Sequence, residues 1–330
     1  MSGTKTAPEA FLEIRGLKKY FGVHGGLLHA VDDVSLSIGR GRTLGLVGES
    51  GCGKSTLGRV VIGLIEATGG EVLFDGQDSL KFTGAKRSKF RRRAQIVFQD
   101  PFSSLNPRMS VSQLIAEPLV INRACPHREL DARVKKLMDT VGLASRLITS
   151  FPHELDGGRR QRIGIARALM LKPEFILCDE PIAALDASIQ AQVVNMLQDL
   201  QEEFHFTYLF ISHDLSMMRY ISSRIGVMYL GSLAELAPSR ELYERPLHPY
   251  TRALLSARPV ADPEKARAIK RLPLSMELPS PLDSLPGCPF APRCPFAKPL
   301  CREEKPALRE LSPAHFVSCL RADEISRESS

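Results

Sequence analysis

A glycine-rich segment of eight residues, GESGCGKS at positions 48–55, constrains this chain more than any other feature. It fits the pattern G-x-x-x-x-G-K-[ST] of a phosphate-binding loop. The apolar run TLGLV before it predicts a buried strand, and residues 54–64 after it predict a helix. Glycines let successive backbone N–H groups turn toward phosphate oxygens, and the start of a helix adds its positive dipole end. The segment therefore predicts a nucleotide-phosphate site.

The loop also predicts which side chains bind a nucleoside triphosphate and its magnesium ion. Lys54 is expected to reach the β- and γ-phosphates, and the Ser55 hydroxyl is expected to bind Mg²⁺. The predicted nucleotide-binding residues of this segment and the residue after it are Gly48, Glu49, Ser50, Gly51, Cys52, Gly53, Lys54, Ser55 and Thr56. A glycine-rich turn without function is the alternative, and the flanking strand and helix argue against it.

A second buried strand is predicted at FILC, residues 175–178, and two carboxylates, Asp179 and Glu180, follow it. Ligands of α/β sheets bind at the carboxyl ends of the strands. Asp179 is expected to hold Mg²⁺, and Glu180 is expected to orient and deprotonate the attacking water. Because an Asp-Glu pair after a strand is common, this interpretation depends on the phosphate-binding loop.

Buried apolar runs alternate with helical patterns over the first 240 or so residues, which predicts an α/β domain with a mostly parallel sheet. TYLFIS at residues 207–212 is a further predicted strand, and residues 11–17 alternate like a strand exposed on one face. Apolar residues at 189, 193, 196, 197 and 200 predict one face of a helix. The basic run KRSKFRRR, residues 86–93, is interpreted as a solvated helix or loop.

Composition limits the setting in which the chain works. Its 330 residues are 43% hydrophobic, which suits a globular protein rather than a disordered one. There is no run of about 18 uncharged apolar residues, and the first residues lack the pattern of a secretory signal, so we expect a cytosolic chain that does not span a membrane. The net charge of +7 permits nucleic acid or anionic lipid as a partner and indicates neither.

Further motifs, in their order along the chain, resemble those of the ABC-type ATPases. Gln99 in VFQD resembles the Q-loop glutamine, and LDGGRRQR at residues 155–162 resembles the signature motif. ALD at residues 184–186 resembles the D-loop, and His213 in ISHD resembles the switch histidine. Tyr20, about 30 residues before the phosphate-binding loop, resembles the aromatic residue that stacks on adenine.

The resemblance implies a P-loop NTPase fold of the ABC type, with a mixed-sheet core and a helical subdomain at about residues 101–170. It also implies a head-to-tail dimer, in which the phosphate-binding loop of one subunit and the signature of the other bind the same ATP. The residues to which it assigns catalysis are Glu180, His213, Gln99 and Lys54. Those to which it assigns Mg²⁺ are Ser55, Gln99 and Asp179. Those to which it assigns further nucleotide contacts are Asp156, Gly157, Gly158 and Asp186.

The signature departs from the family at two positions. The family usually has Ser and Gln where this chain has Asp156 and Arg159. A carboxylate cannot donate a hydrogen bond to the γ-phosphate, and its charge repels the phosphate. Asp is also a good helix N-cap, and Arg159 is placed to neutralise it in part. We hypothesise that this signature serves a weakened composite site on the partner's ATP, while the chain's own phosphate-binding loop stays competent.

The end of the chain has a different composition. Fifteen of the 23 prolines lie between Pro238 and Pro313, which predicts a small, loop-rich extension. LHPYT at residues 247–251 and LPGCPFAPRCP at residues 285–295 resemble the C-terminal extension of the oligopeptide/dipeptide-type ABC importers. The predicted division is therefore a nucleotide-binding domain at residues 1–245 and an extension at residues 246–330.

Four cysteines of the extension, Cys288, Cys294, Cys301 and Cys319, form the pattern C-x5-C-x6-C-x17-C. Zinc sites usually begin with C-x2-4-C, so the spacing disfavours zinc, and a reducing cytosol disfavours disulfides. Four thiolates suit a [4Fe–4S] cluster, and the resemblance implies one, because some members of the subfamily carry it here. Zinc and an unmetallated site remain the alternatives. The expected role is structural.

The resemblance implies an ATP-hydrolysing subunit that energises import of di- or oligopeptides or related small solutes. Its expected location is the cytoplasmic face of the inner (plasma) membrane, as a peripheral protein. The expected partners are a homologous second ATPase subunit in a heterodimer, two integral membrane permease subunits and, indirectly, an extracytoplasmic substrate-binding protein. Nucleic acid is not expected. The alternatives are a soluble ABC ATPase that acts on nucleic acid or ribosomes, and a hydrolysis-impaired regulatory subunit.

Overall fold

The computed structural model describes residues 10–257 and 286–327. The strands are β1 (Ala10–Val23), β2 (Gly26–Gly39), β3 (Thr43–Val47), β4 (Gly69–Phe74), β5 (Gln77–Asp78), β6 (Ala94–Val97), β7 (Phe175–Asp179), β8 (Thr207–Ser212), β9 (Arg224–Tyr229), β10 (Ser232–Pro238), β11 (Arg309–Ser312) and β12 (His315–Val317). The α-helices are α1 (Lys54–Val61), α2 (Gly84–Arg93), α3 (Pro101–Ser104), α4 (Val111–Ile121), α5 (His127–Thr140), α6 (Gly157–Leu169), α7 (Ala187–Phe204), α8 (Leu215–Ile221), α9 (Ser239–Glu244), α10 (Pro249–Ser256), α11 (Leu300–Glu303) and α12 (Ala322–Arg327). Within these ranges, no helix is long and apolar enough to cross a bilayer.

The chain divides into two compact units. Among the described residues, the first unit comprises residues 10–11, Ile38–Arg42 and Lys81–Ile211. The second unit comprises Leu12–Ser37, Thr43–Leu80 and residues 212–257 and 286–327. The extension that we predict from residue 246 onward therefore shares its unit with the phosphate-binding loop, and the boundary at residue 245 stays a prediction.

The first unit has a parallel sheet and a group of helices. Strands β6, β7 and β8 pair in parallel, with Ala94 opposite Phe175 and Phe175 opposite Thr207. Every residue of β7 and β8 is buried, as their continuous apolar runs predict. Helices α3 to α6 follow β6, and α4 packs against α5 and α6. These helices occupy the range that we predict for the helical subdomain.

The second unit has a sheet of mixed direction, with strands in the order β11-β12-β10-β9-β3. Strands β3 and β9 pair in parallel, whereas β9, β10, β12 and β11 pair antiparallel in turn. Leu230 and Gly231, which join β9 to β10, both have positive φ, as a tight hairpin turn requires. Because that turn joins them directly, β9 and β10 pair antiparallel. The apolar runs alone predict a mostly parallel sheet and therefore miss the antiparallel strands of this unit. A separate sheet has the order β2-β1-β4-β5.

The basic run at residues 86–93 lies in helix α2, and Phe90 is the buried residue of that helix. Of the two predicted forms, a solvated helix or a loop, the structure shows the helix. Arg93, at the end of the helix, donates hydrogen bonds to both carboxylate oxygens of Glu174, and Arg40 donates a further one. These bonds lower the pKa of Glu174 to about 2.

Candidate functional site

The phosphate-binding loop joins strand β3, which is buried throughout, to helix α1. Gly53 precedes the helix with φ of +102°, a conformation that side chains other than glycine rarely adopt. A Cβ on Gly53 would lie 1.9 Å from the carbonyl oxygen of Ala30, and a Cβ on Gly48 would lie 2.2 Å from that of Met228. Both glycines are therefore required by close backbone packing as well as by the pattern.

Lys54 lies inside this loop. Its side chain is 4% exposed, and its ammonium group donates to the carbonyl oxygens of Gly48, at 2.8 Å, and Glu49, at 2.9 Å. Its ammonium also lies 3.8 Å from the Cys52 sulfur, and burial raises the pKa of that thiol. No side chain caps α1, because its N-cap residue is Gly53. A glycine cradle, a buried cation and a helix start without a side-chain cap fit the triphosphate of a nucleotide.

Asp179 and Glu180, the two carboxylates predicted to bind Mg²⁺ and to activate water, lie in the first unit at the end of β7. Asp179 is fully buried, and Glu180 has φ of +48°, in the left-handed region. A non-glycine residue held there carries backbone strain, which is concentrated at functional sites. The Glu180 amide donates to the Ile211 carbonyl at 3.0 Å, which ties this turn to β8.

Gln99 meets Glu180 although 81 residues separate them. The Gln99 side-chain amide donates to the Glu180 carboxylate at 3.0 Å. This hydrogen bond joins the predicted Q-loop residue to the predicted general base. An amide that donates to a carboxylate orients it and leaves its negative charge in place, as a general base requires.

The signature segment begins helix α6, whose N-cap is Asp156. The Asp156 carboxylate accepts from the Arg159 amide at 2.8 Å and pairs with the Arg159 guanidinium at 3.4 Å. A Cβ on Gly158 would lie 2.7 Å from a methyl carbon of Ile189. The helix start therefore packs against the segment that follows Asp186.

Asp186, in the predicted D-loop, is the N-cap of helix α7. Its carboxylate accepts from the Ile189 amide at 3.0 Å and from the Ser188 hydroxyl at 2.8 Å. These bonds, led by the one from the amide, lower the pKa of Asp186. The side chain thus shapes the start of α7, and its nucleotide contact stays a prediction.

Tyr20 and His213 lie in the second unit. Tyr20 stacks on His29, with ring centroids 4.1 Å apart, and donates to Asp32 at 2.6 Å. Burial and the bond to Asp32 raise the pKa of Tyr20 to about 12. His213 is exposed and follows strand β8. Adenine stacking by Tyr20 and a γ-phosphate contact by His213 stay predictions.

The four cysteines of the extension line one small cavity, and all four are free thiols. The Cys288 amide donates to the Cys301 carbonyl at 2.8 Å, which holds the two ends of the segment together. Burial raises the pKa values of Cys288 and Cys294 to about 11. Among residues 10–257 and 286–327, no three or more His, Cys, Asp or Glu side chains are grouped so that they could hold a metal ion. The described residues therefore give no support for the predicted iron–sulfur site.

Sequence reasoning gave no role to two side chains that contact the phosphate-binding loop. Arg293 pairs with Glu49, and the Tyr250 hydroxyl accepts a hydrogen bond from the Glu49 amide. Tyr250 belongs to the LHPYT segment that carries the resemblance, and Arg293 directly precedes Cys294. Neither position signals the contact, because Glu49 lies 201 and 244 residues away along the chain.

The second unit also contains a buried pair that no sequence pattern predicts. Glu235 on β10 and His315 on β12 are 2.6 Å apart, and both are almost fully buried. Glu235 also accepts from the amides of Leu247 and His248 at 2.8 and 2.9 Å. One carboxylate therefore anchors the start of the LHPYT segment to the mixed sheet.

Comparisons with known proteins agree with this geometry. Residues 31–183 match the ABC transporter family, and residues 234–301 match the oligopeptide/dipeptide transporter C-terminal region. The chain is 51% identical over 324 residues to the oligopeptide transport ATP-binding protein AppF of Bacillus subtilis (strain 168), which covers 96% of this chain and 98% of AppF. It is also 51% identical over 317 residues to the oligopeptide transport ATP-binding protein OppF of the same strain, with 96% and 98% coverage.

A solved structure gives the same result for the fold. The dimeric, post-hydrolysis structure of the ATP-binding cassette MJ0796 bound to ADP and Pi is 28% identical, with a TM-score of 0.64. The match covers 69% of this chain and 99% of that cassette. The predicted ABC-type fold, with its mixed sheet and helical subdomain, is confirmed.

Proposed function

Because the chain belongs to the oligopeptide/dipeptide-type ATP-binding proteins of the ABC transporter family, we propose that it hydrolyses ATP to energise import of di- or oligopeptides or related small solutes. The observation that carries this proposal is the hydrogen bond at 3.0 Å between Gln99 and the strained Glu180. Both residue types and both positions suit a general base and its orienting partner in hydrolysis of a phosphoanhydride.

The proposed hydrolysis is an in-line attack of water on the γ-phosphorus of ATP; the bond from that phosphorus to the bridging oxygen breaks, and ADP and phosphate are the products. Glu180 accepts the proton of the water, and Gln99 keeps its carboxylate oriented. Lys54 and His213 stabilise the charge on the phosphoryl oxygens. Ser55, Gln99 and Asp179 would hold Mg²⁺, which when bound neutralises charge between the β- and γ-phosphates.

We propose that the chain works in a head-to-tail dimer with a second, homologous ATPase subunit. In that arrangement Gly157, Gly158 and Asp186 contact the partner's nucleotide. The Asp156 cap supports an unequal pair of sites, because its carboxylate already uses an amide at the start of α6. At the end of the phosphate-binding loop no side chain caps helix α1, so the chain's own site stays competent.

A groove in the first unit supports docking of an integral membrane permease subunit. The groove has a volume of about 910 Å³, and Phe98, the neighbour of Gln99, lines it. Ile121, also in its lining, is 72% exposed, and Arg87, Arg91 and Arg167 add positive charge. The proposed occupant is a cytoplasmic segment of the permease, which would connect membrane transport to Gln99. The chain would then be peripheral on the cytoplasmic face, and a substrate-binding protein outside the membrane would select the solute.

We further propose that the four cysteines bind a [4Fe–4S] cluster. The support is that all four cysteines line one small cavity. Cluster binding would require the thiols to lose their protons, which their raised pKa values oppose until iron is present.

Iron analysis of anaerobically purified protein tests the cluster. We expect about four iron atoms per chain and a visible absorbance that bleaches on reduction. Cys294→Ser is expected to lose both, while Cys125→Ser, outside the extension, keeps them. Protein that holds zinc or no metal would contradict this part of the proposal.

Purification from membranes tests the transport function. We expect the tagged chain to co-purify with two integral membrane proteins and a second ATPase, and the complex to hydrolyse ATP and move peptides into vesicles. Ile121→Asp, in the groove, is expected to release the membrane subunits. Tyr220→Asp is the matched control, because Tyr220 is also 72% exposed but lies in the other unit. Recovery of the chain with ribosomes or nucleic acid would instead support the soluble alternative.

A further inference from the structure

Two residues of the extension form hydrogen bonds with Glu49 of the phosphate-binding loop. The two terminal nitrogens of Arg293 donate to the two carboxylate oxygens of Glu49, at 2.9 and 3.2 Å. The Tyr250 hydroxyl accepts from the Glu49 backbone amide at 2.9 Å. Both the side chain and the main chain of Glu49 are thus held by residues that lie beyond position 245.

Both contacting side chains are firmly placed. The Arg293 side chain is 7% exposed and also contacts the Tyr229 hydroxyl at 3.4 Å, while Tyr250 is fully buried. The rings of Tyr229, Tyr250 and Phe290 pack together, with centroids 4.8 to 5.4 Å apart. A bidentate guanidinium–carboxylate pair fixes orientation as well as distance, and a poorly hydrated pair is far less mobile than an exposed one.

Glu49 in turn contacts Lys54, so its position affects the position of the lysine. Its carbonyl oxygen accepts from the Lys54 ammonium at 2.9 Å and from the Cys52 amide at 3.3 Å. The position of Glu49 therefore sets where the Lys54 ammonium lies and how the loop turns. A displacement of Glu49 would move both the cation and the amides that are predicted to bind phosphate.

We propose that Arg293 and Tyr250 are positioning residues, which hold the phosphate-binding loop in the shape that binds nucleotide. The proposal rests on the ATP site proposed above and adds that nucleotide affinity requires an intact extension. Arg293 lies between Cys288 and Cys294, and Phe290 lines the cavity of the four cysteines. Because coupling between two sites is reciprocal, nucleotide in the loop also orders the cysteine segment.

Equilibrium binding of a fluorescent ATP analogue to the full-length chain tests the coupling. Arg293→Gln and Glu49→Gln are each expected to weaken binding about tenfold, within the range for coupled contacting residues. The double variant is expected to bind no more weakly than either single variant, since both remove one contact. Arg293→Lys is expected to restore binding in part, because an ammonium keeps the charge and loses the second hydrogen bond. Lys298→Gln is the control, because it breaks an exposed ion pair with Glu324 in the same extension.

Hydrogen exchange of the same proteins supplies a second measurement. ATP is expected to slow amide exchange at residues 286–301 in the unaltered chain and to leave it unchanged in Arg293→Gln. If Arg293→Gln lowers the melting temperature sharply, Tyr250→Phe takes its place, because it keeps the ring and loses the bond to the Glu49 amide. That variant is expected to bind several-fold more weakly.

Three results would overturn the inference: unchanged affinity in Arg293→Gln or Tyr250→Phe, losses that add in the double variant, or exchange at residues 286–301 that ignores ATP. Lys54→Ala separates this failure from failure of the ATP site. If the unaltered chain binds no more analogue than Lys54→Ala, the proposed ATP site is wrong. If it binds and Arg293→Gln binds equally well, only the positioning role is wrong.

Discussion

Helix α1 begins at Lys54 behind a glycine, whereas helix α6 begins at Gly157 behind an aspartate. Both helix starts are predicted to meet phosphate. At α1 no side chain caps the helix, and Lys54 brings a buried positive charge into the loop. At α6 the Asp156 carboxylate accepts from the Arg159 amide and brings a negative charge, which Arg159 partly neutralises.

The comparison shows that a phosphate and a capping side chain compete for the same N-terminal amides of a helix. Its first amides bind a phosphate or a capping side chain, but one amide cannot serve both fully. The α1 start is built for a ligand, while the α6 start is stabilised by its own chain. Two phosphate contacts in one protein are thus expected to differ in strength, which is the basis of the unequal composite sites.

Lys54→Ala is expected to have the largest effect on this comparison. It removes the one buried cation of the loop segment, and loss of charged hydrogen bonds to a triphosphate is expected to lower ATP affinity about 100-fold. Arg159→Ala is the counterpart at the α6 start and is expected to change affinity of the isolated chain less than about threefold, since its pair is exposed. Titration with a fluorescent ATP analogue measures both. Similar losses in the two variants would remove the distinction between the helix starts.

Asp156→Ser comes next and tests the α6 start in the assembled complex. Serine keeps a capping oxygen and removes the charge, so repulsion of the partner's γ-phosphate is relieved. An exposed charge effect of up to about 1 kcal/mol predicts a two- to fivefold rise in steady-state ATP hydrolysis. Asp156→Asn, which keeps the shape of the cap, is expected to behave likewise. A fall in ATP hydrolysis in Asp156→Ser would contradict the hypothesis that Asp156 weakens the composite site.

The smallest expected effect is that of Asp156→Ala on the stability of the chain. Loss of the N-cap costs about 1 kcal/mol, while Asp156→Ser keeps most of it. Urea denaturation of the full chain measures the difference through the transition midpoint. Equal midpoints for Asp156→Ala and the unaltered chain would show that the carboxylate does not stabilise α6, and the competition between cap and phosphate would lose its basis.

Local patterns predicted the elements that form the site. Strands β3 and β8 have the predicted bounds, because continuous apolar runs end at residues that leave the core. Helix α1 ends at Val61, three residues before the predicted end, because Gly63 has φ of +72° and cannot continue a helix. Strand β1 runs on to Val23, beyond the predicted Leu17, since it continues toward its hairpin partner β2.

Contacts between distant segments were beyond prediction. The strain at Glu180 and its bond to Gln99 depend on how β7 ends, which no residue pattern encodes. The hydrogen bonds of Arg293 and Tyr250 with Glu49 depend on how the extension packs against the phosphate-binding loop within the second unit. Family motifs identify which residues act, whereas tertiary packing decides which residues position them.

Steady-state ATP hydrolysis by the purified transporter complex, with Glu180→Gln against the unaltered chain, tests the central claim most directly. Removal of a general base is expected to lower turnover by about 10²–10⁴-fold, while bound ATP is retained because the phosphate-binding loop is unchanged. Near-normal hydrolysis in Glu180→Gln would contradict the account, because the strained carboxylate that Gln99 orients would then not be the base.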